Sequence, residues 1–290
     1  MHYRFNFMKK YTIILSVCLA LASSAFAQSA KPLFTNAIGV QAYTFRSSMP
    51  KATVAVLDTI KALGITELEG EGPKDMPKEQ FKKLCDERGI KIPSVGAGYE
   101  DIVKDPLAVV KLAKTLGASY VMVAWIPHKK EFTLEDAKKA AADFNRVGKI
   151  LKANGLTFCY HNHGYEFGKY EDGTLFDYIA KNTDPRYVSF EIDILWSFHG
   201  GQDPAQLINK YPARMKLMHL KDIRKGVAND LTGGTDTRND VALGTGQINI
   251  PEVLKAAKKA GIKHYFIEDE SPSYSKQLPV TIAYIKSLKN

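Results

Sequence analysis

The feature that most constrains this chain is a rhythm. Eight short runs of aliphatic, β-branched and aromatic residues recur at about 39–45, 66–69, 91–96, 119–125, 156–161, 188–193, 215–220 and 264–268, and each precedes a stretch of helical periodicity. The helix after the fourth run is the plainest. Thr133 stands as its N-cap with Asp136 three residues on, Ala137, Ala141, Phe144, Val147 and Leu151 form one apolar stripe, and Asn154-Gly155 stops it. Gly64, Gly89, Gly117 and Gly261 end other helical stretches in the same way. Eight such units in about 250 residues have the size and rhythm of a single-domain α/β (β/α)₈ barrel, the TIM barrel. A doubly wound open sheet is the competing architecture, but no glycine-rich phosphate fingerprint follows the first strand.

Ahead of the first run lies a different kind of segment. Basic Arg4, Lys9 and Lys10 precede an apolar run, Tyr11 to Ala22, and then Ala25-Phe26-Ala27 meets Gln28. This is the layout of a secretory signal peptide over residues 1–27, cleaved after Ala27, with the barrel over 28–290. Met8 makes an equally good start as Met1. The apolar run is short of the about 20 residues that a membrane span needs, so the expectation is soluble export to the periplasm or medium without stable membrane association. Cleavage removes three basic residues and no acid from a chain whose formal charge is +9. The remaining positive charge is spread over helical stretches such as "KEQFKKLCDER", a solvated face rather than a nucleic-acid patch. Cys85 and Cys159 lie in apolar patterns and read as small core residues, not as a disulfide framework.

Chemistry in a parallel barrel gathers where the strands end, and residues two apart on a strand share a face. On that test Cys159, His161 and His163 share one face in "FCYHNHGYEF". Glu191 and Asp193 share a face in "SFEIDILW", Leu217, His219 and Lys221 in "KLMHLKD", Phe266, Glu268 and Glu270 in "YFIEDE", and Glu67 and Glu69 in "ITELEGEG". Pairing with a neighbouring lysine or capping a helix suffices to explain Glu67, Asp222, Asp269 and Glu270, and Asn162 and Glu166 can simply hold a loop. His161, Asp193, His219 and Glu268 together resist that explanation, because burying so many unpaired polar groups in one mouth costs several kcal/mol unless something binds them. One divalent cation would do so. Two imidazoles and two carboxylates suit Mn²⁺, Zn²⁺, Co²⁺ or Fe²⁺.

The ordered set "YHNHGYEF", "EIDILW", "MHLKD", "LGTGQINIPEVL" and "FIEDE" resembles the xylose isomerase-like TIM barrels, the sugar isomerase/epimerase superfamily, over nearly the whole chain after the leader. The resemblance implies a single divalent metal held at the ends of strands five to eight, and Asp193, His219 and Glu268 match its ligands directly. Position 161 departs: a glutamate is usual in the epimerases, and His161 stands here, as in a branch with an "HNH" segment. Epimerases of this type set two metal-bound glutamates on opposite faces of the substrate carbon. Here only Glu268 remains of that pair, so Lys221, His163 or Glu166 is expected as the second catalytic group, with Lys221 a general acid whose pKa is lowered by desolvation and a nearby cation. That asymmetry fits isomerisation, and equally β-elimination or hydration of a keto-sugar, as in a 3-keto-glycoside lyase.

Export implies a free sugar, keto-sugar or glycoside rather than a sugar phosphate, and no arginine cluster stands ready for a phosphate. Glu69, Asn162, Trp196, Trp125 and Phe45 are the candidate sugar contacts, with core packing the competing role for Phe45 and Trp125. Two further classes are weighed against an isomerase. Apurinic endonucleases share the barrel family but need more histidines at strand ends where Glu69, Ser94 and Lys221 stand here, and a non-catalytic sugar-binding protein needs no Glu268 and Lys221 converging on a metal.

Overall fold

The computed structural model describes residues 31–290, so the leader expected from the sequence lies outside the described residues. Eight parallel strands close into a barrel: β1 (Gly39–Gln41), β2 (Glu67–Glu69), β3 (Lys91–Gly96), β4 (Tyr120–Val123), β5 (Thr157–His161), β6 (Val188–Asp193), β7 (Met215–Leu220) and β8 (His264–Ile267). Each strand pairs with its sequence neighbours, and β8 closes on β1 through Gly39 opposite Phe266. The principal helices are α1 (Thr53–Ala62), α2 (Lys78–Asp86), α3 (Pro106–Leu116), α4 (Leu134–Ala153), α5 (Leu175–Asn182), α6 (Pro204–Lys210), α7 (Ile250–Ala260) and α8 (Tyr274–Ser287). Short extra helices, Tyr99–Lys104 and Ile194–His199, follow β3 and β6. Among the described residues no helix is long and apolar enough to cross a membrane.

Local chemistry explains the boundaries. The Asp136 backbone N–H donates to Thr133 Oγ1 and the Thr133 N–H to Asp136 Oδ2, a reciprocal box that satisfies two otherwise orphaned donors at the start of α4. Thr174 and Asp177 repeat the device at α5. The first strand is shorter than its apolar run suggests. It ends at Gln41, whose side-chain oxygen accepts from the Tyr43 N–H and turns residues 42–45 into one 3₁₀ turn. Phe45 is thereby carried into the core, edge-on to Tyr274, and away from the mouth.

Two apolar regions form. The larger lies between the sheet and its helices, where Cys85 sits, and its burial pushes that thiol up to about 12. The smaller is inside the barrel, where Cys159, Leu217 and Phe266 make a plug. Gly39 admits it, since a Cβ there would stand 2.6 Å from the Phe266 ring. Above this plug the inward positions turn ionisable.

Gly148 shows how tightly the shell is fitted. It lies on the buried face of α4, and a Cβ would stand 2.4 Å from the carbonyl oxygen of Tyr187, just before β6. Gly148→Ala should therefore destabilise by about 1–3 kcal/mol through overpacking, reversing the roughly 0.5–1 kcal/mol gain that alanine brings inside an ordinary helix. A urea midpoint equal to or above the parent's would refute that close approach.

Candidate metal centre

Strand phase delivers four side chains to one point. His161 ends β5, Asp193 ends β6, His219 lies near the end of β7 and Glu268 follows β8. His161 Nε2 stands 3.0 Å from His219 Nδ1 and 3.5 Å from Asp193 Oδ2. His219 Nδ1 is 3.7 Å from Asp193 Oδ2 and 3.3 Å from Glu268 Oε2. Four ligands about 2.0–2.1 Å from a zinc-sized ion would lie about 3.3 Å apart in a tetrahedron, so these atoms are spaced as a ligand set needs. Asp193 Oδ2 is buried and has no hydrogen-bond partner among the described residues, which is costly unless a cation meets it. The residues present fit one divalent ion.

Supporting contacts aim the ligands. Asp193 Oδ1 accepts from the Trp196 N–H at 2.8 Å, capping the short helix Ile194–His199 and leaving Oδ2 for the cluster. Asn162 grips the Asp193 backbone from both sides, its Oδ1 accepting from the Asp193 N–H and its Nδ2 donating to the Asp193 carbonyl. His219 Nε2 lies 2.6 Å from Glu69 Oε2, which assigns the proton to Nε2 and leaves the Nδ1 lone pair for the cluster. Glu69 is itself held by Gln41 and Ser94.

The charges are strongly coupled. Burial alone would raise Asp193 and Glu268, but Lys221 and the imidazoles hold both carboxyls well below the usual range. Glu191, whose Oε1 lies 3.5 Å from His219 Nε2, is pushed far up by burial and by Glu69. Burial would lower Lys221, yet Glu268, Asp240, Asp193 and Glu270 raise it well above its ordinary value. These carboxylates act against the lowering expected from desolvation and a nearby cation. Its ammonium is enclosed, 2.6 Å from Glu270 Oε1, 3.1 Å from Glu268 Oε2 and 3.8 Å from Asp240 Oδ2. Asp240 comes from a distant hairpin and carries no signal in the sequence; the structure alone reveals it.

A cleft of about 1110 Å³ opens over the cluster at the C-terminal mouth. His161, His163, His219, Trp196, Trp125, Glu268 and Glu270 line it, whereas Lys221, Glu69, Asp193, Asn162, Glu166 and Phe45 do not. Of the expected sugar contacts, then, Trp196 and Trp125 face the cleft. Glu69 instead backs His219, Asn162 holds Asp193, and Phe45 is core. Of the three candidates for the second catalytic group, His163 alone faces the cleft. Burial and His161 depress it to about 3, so its ring is neutral at ordinary pH. Glu166 accepts from the Tyr160 hydroxyl and from the His163 N–H and holds the loop after β5.

With this geometry in view, comparison with known proteins is informative. A family model described as xylose isomerase-like TIM barrel matches residues 57–289. The chain belongs to this family. A sugar phosphate isomerase/epimerase from Parabacteroides distasonis superposes with a TM-score of 0.72 at 26% identity, covering 92% of this chain and 98% of that one. An inosose dehydratase from Clostridium beijerinckii is 28% identical over 182 residues, 56% of this chain, and the match spans 60% of that relative's length. The IOLI protein, whose structure holds a zinc atom, shares the fold with a TM-score of 0.65 at 14% identity, covering 86% of this chain and 95% of its own. The family thus includes both isomerase/epimerases and dehydratases, and the buried His/Asp/Glu cluster of this chain can hold a metal.

Two predictions follow the geometry. His219→Ala should abolish stoichiometric divalent metal by elemental analysis. It should also abolish the stabilisation that metal confers on the parent, roughly 3 kcal/mol at a hundredfold excess over Kd; a variant that keeps its metal would remove His219 from the ligand set. Burial raises the Glu166 carboxyl from 4.5 to about 7 against the hydrogen bonds that lower it. The folded state therefore holds that proton to higher pH, and the stabilisation is complete below the unfolded pKa and lost as pH rises through 7. Between pH 4.5 and 8 the parent should lose on the order of 3 kcal/mol more than Glu166→Gln, measured by urea titration, and parallel curves would contradict the shift.

Proposed function

We propose that the protein is a divalent-metal-dependent enzyme that moves a proton at the carbon next to a carbonyl of a non-phosphorylated sugar or keto-sugar, in an isomerisation. The observation that carries this reading is one-sidedness. Of the carboxylates lining the cleft beside the cluster, Glu268 and Glu270 leave the same strand end and are bridged by the Lys221 ammonium. Neutral His163 and Trp196, stacked at 5.5 Å, line the cleft as well. Epimerisation needs a proton removed from one face and returned to the other, and where the epimerases set their second metal-bound glutamate this chain has His161. Isomerisation asks only that one base lift a proton and return it to the neighbouring carbon on the same side.

His161, Asp193, His219 and Glu268 would hold the ion, which when bound supplies Lewis acidity toward the substrate's oxygens. Glu268 acts as the base, kept ionised by Lys221. His163 offers a neutral hydrogen-bonding edge, and Trp196, buried between it and the Lys221 ammonium, backs that ring. The likeness to a zinc-holding relative supports the metal, without choosing among Mn, Zn, Co and Fe.

Several features support a non-phosphorylated substrate. Among the described residues the cleft's cations are Arg46 and Lys74, and Arg46 donates to the carbonyls of Tyr43 and Glu270. Glu71, Asp75, Asp101, Glu268 and Glu270 make the lining acid-rich, a poor cradle for a phosphate. Export under the expected leader agrees with this. A second reading, elimination of water or an aglycone from a keto-sugar, is favoured by the inosose dehydratase relatives and by the same single-base geometry.

Incubation of the metal-loaded protein in D₂O with free sugars, keto-glycosides and sugar phosphates, followed by NMR, separates these readings. Deuterium incorporation with the carbonyl moved to the neighbouring carbon means isomerisation, deuterium with the carbonyl in place and the configuration beside it inverted means epimerisation and refutes the one-base reading, loss of water or aglycone means elimination, and turnover confined to sugar phosphates refutes the substrate class. Lys221→Met should cut turnover by roughly two to four orders of magnitude and move the acidic limb of the kcat/KM profile to higher pH, because Glu268 loses the cation that holds its proton off. Turnover within a few-fold of the parent, with the limb unmoved, would take Lys221 out of the machinery.

A further inference from the structure

The cleft is larger than its chemistry requires. Pockets that enclose drug-sized ligands measure roughly 300–1,000 Å³, and this one, at about 1110 Å³, runs well beyond the ligand cluster. Its inner end is polar. Its lining also includes apolar Ala97, Val109, Leu112 and Met122, together with Trp125.

Trp125 is unusual among the aromatic residues. It is 42% exposed, yet its ring is fixed on several sides. His128 stacks on it at 4.9 Å and 25°, while Tyr165 meets it edge-on at 4.8 Å and His163 at 5.5 Å. The backbone at Gly233 approaches closely enough that a Cβ there would stand 3.4 Å from the indole. A tryptophan that is immobilised while so much of it remains in water has lost its freedom in advance of any contact, which is the arrangement of a binding platform. It also lies at a definite remove from the reacting end: one ring-to-ring step of 4.8 Å leads from His161 to His163, and another of 5.5 Å leads on to Trp125. Trp196, by contrast, is buried, with His163 stacked on it and the Lys221 ammonium over its ring.

We infer that the substrate has two rings, a keto-sugar reacting at the cluster and a second ring with a flat apolar face seated on Trp125, so that the natural substrate class is a keto-glycoside, with its carbonyl on the ring at the cluster, rather than a free monosaccharide. This rests on the sugar-enzyme reading above and narrows its substrate. An aryl aglycone and another pyranose share the required chemistry, since both present a face that stacks on an indole.

The test is calorimetric titration of the metal-loaded protein with methyl and phenyl glycosides of glucose, galactose and mannose in both anomers, and with methyl cellobioside. In at least one sugar series the two-ring ligand should bind roughly three- to tenfold more tightly than its methyl glycoside. Trp125→Ala should bring that ratio to about one with metal content unchanged, and Trp125→Phe should restore much of it. A gain for phenyl glycosides alone assigns the outer ring as aryl, and a gain for cellobioside alone assigns it as a sugar. Equal binding of one- and two-ring ligands, a gain that survives Trp125→Ala, or no binding by any member of the panel would overturn the inference. Failure of the underlying reading is seen separately, as absence of metal or of deuterium exchange, and leaves the affinity ratio to be read on its own.

Discussion

The hydrogen bond between His219 and Glu69 is the contact on which the centre turns. It runs across the barrel interior from β7 to β2, fixes the imidazole tautomer, and so decides which nitrogen offers its lone pair to the cluster. Gln41 and Ser94 secure Glu69 from β1 and β3, so four strands contribute to the aim of one ring. Such agreement is available only in a closed parallel barrel, where every strand end reaches the same axis.

Burying this many ionisable groups is tolerable because their charges interleave. Lys221 lies against Glu268, Glu270 and Asp240, and the imidazoles lie against Asp193, Glu69 and Glu268. Removal of any one partner leaves others buried without compensation, which is more damaging than the loss of an exposed ion pair. Rigid placement of Glu268 and sensitivity to substitution thus have the same origin.

Much of this was legible from strand phase alone. A period of two put His161, Asp193, His219 and Glu268 inward, and the capping residues marked α4 at both ends. Where the reading from sequence failed, the cause was a contact between distant residues or a local turn that phase cannot express. Phe45 continues an apolar run, yet the Gln41 side chain ends the strand first. Lys221 was placed correctly as inward, but its electrostatics depend on Asp240, brought in by a hairpin loop. Asn162 and Glu166 stand beside the histidines in sequence and yet turn their side chains into backbone contacts, one holding the neighbouring strand end and the other its own loop.

Asp193 divides its two oxygens between different tasks, and this has a mechanical consequence. Oδ1 starts the short helix that carries Trp196 into the cleft wall, while Oδ2 belongs to the cluster. A carboxylate is a rigid plane, so a rotation that improves one oxygen's contact disturbs the other's. The cleft wall and the cluster are therefore geared together through a single C–C bond, and a displacement on either side is felt by the other without any movement of the barrel.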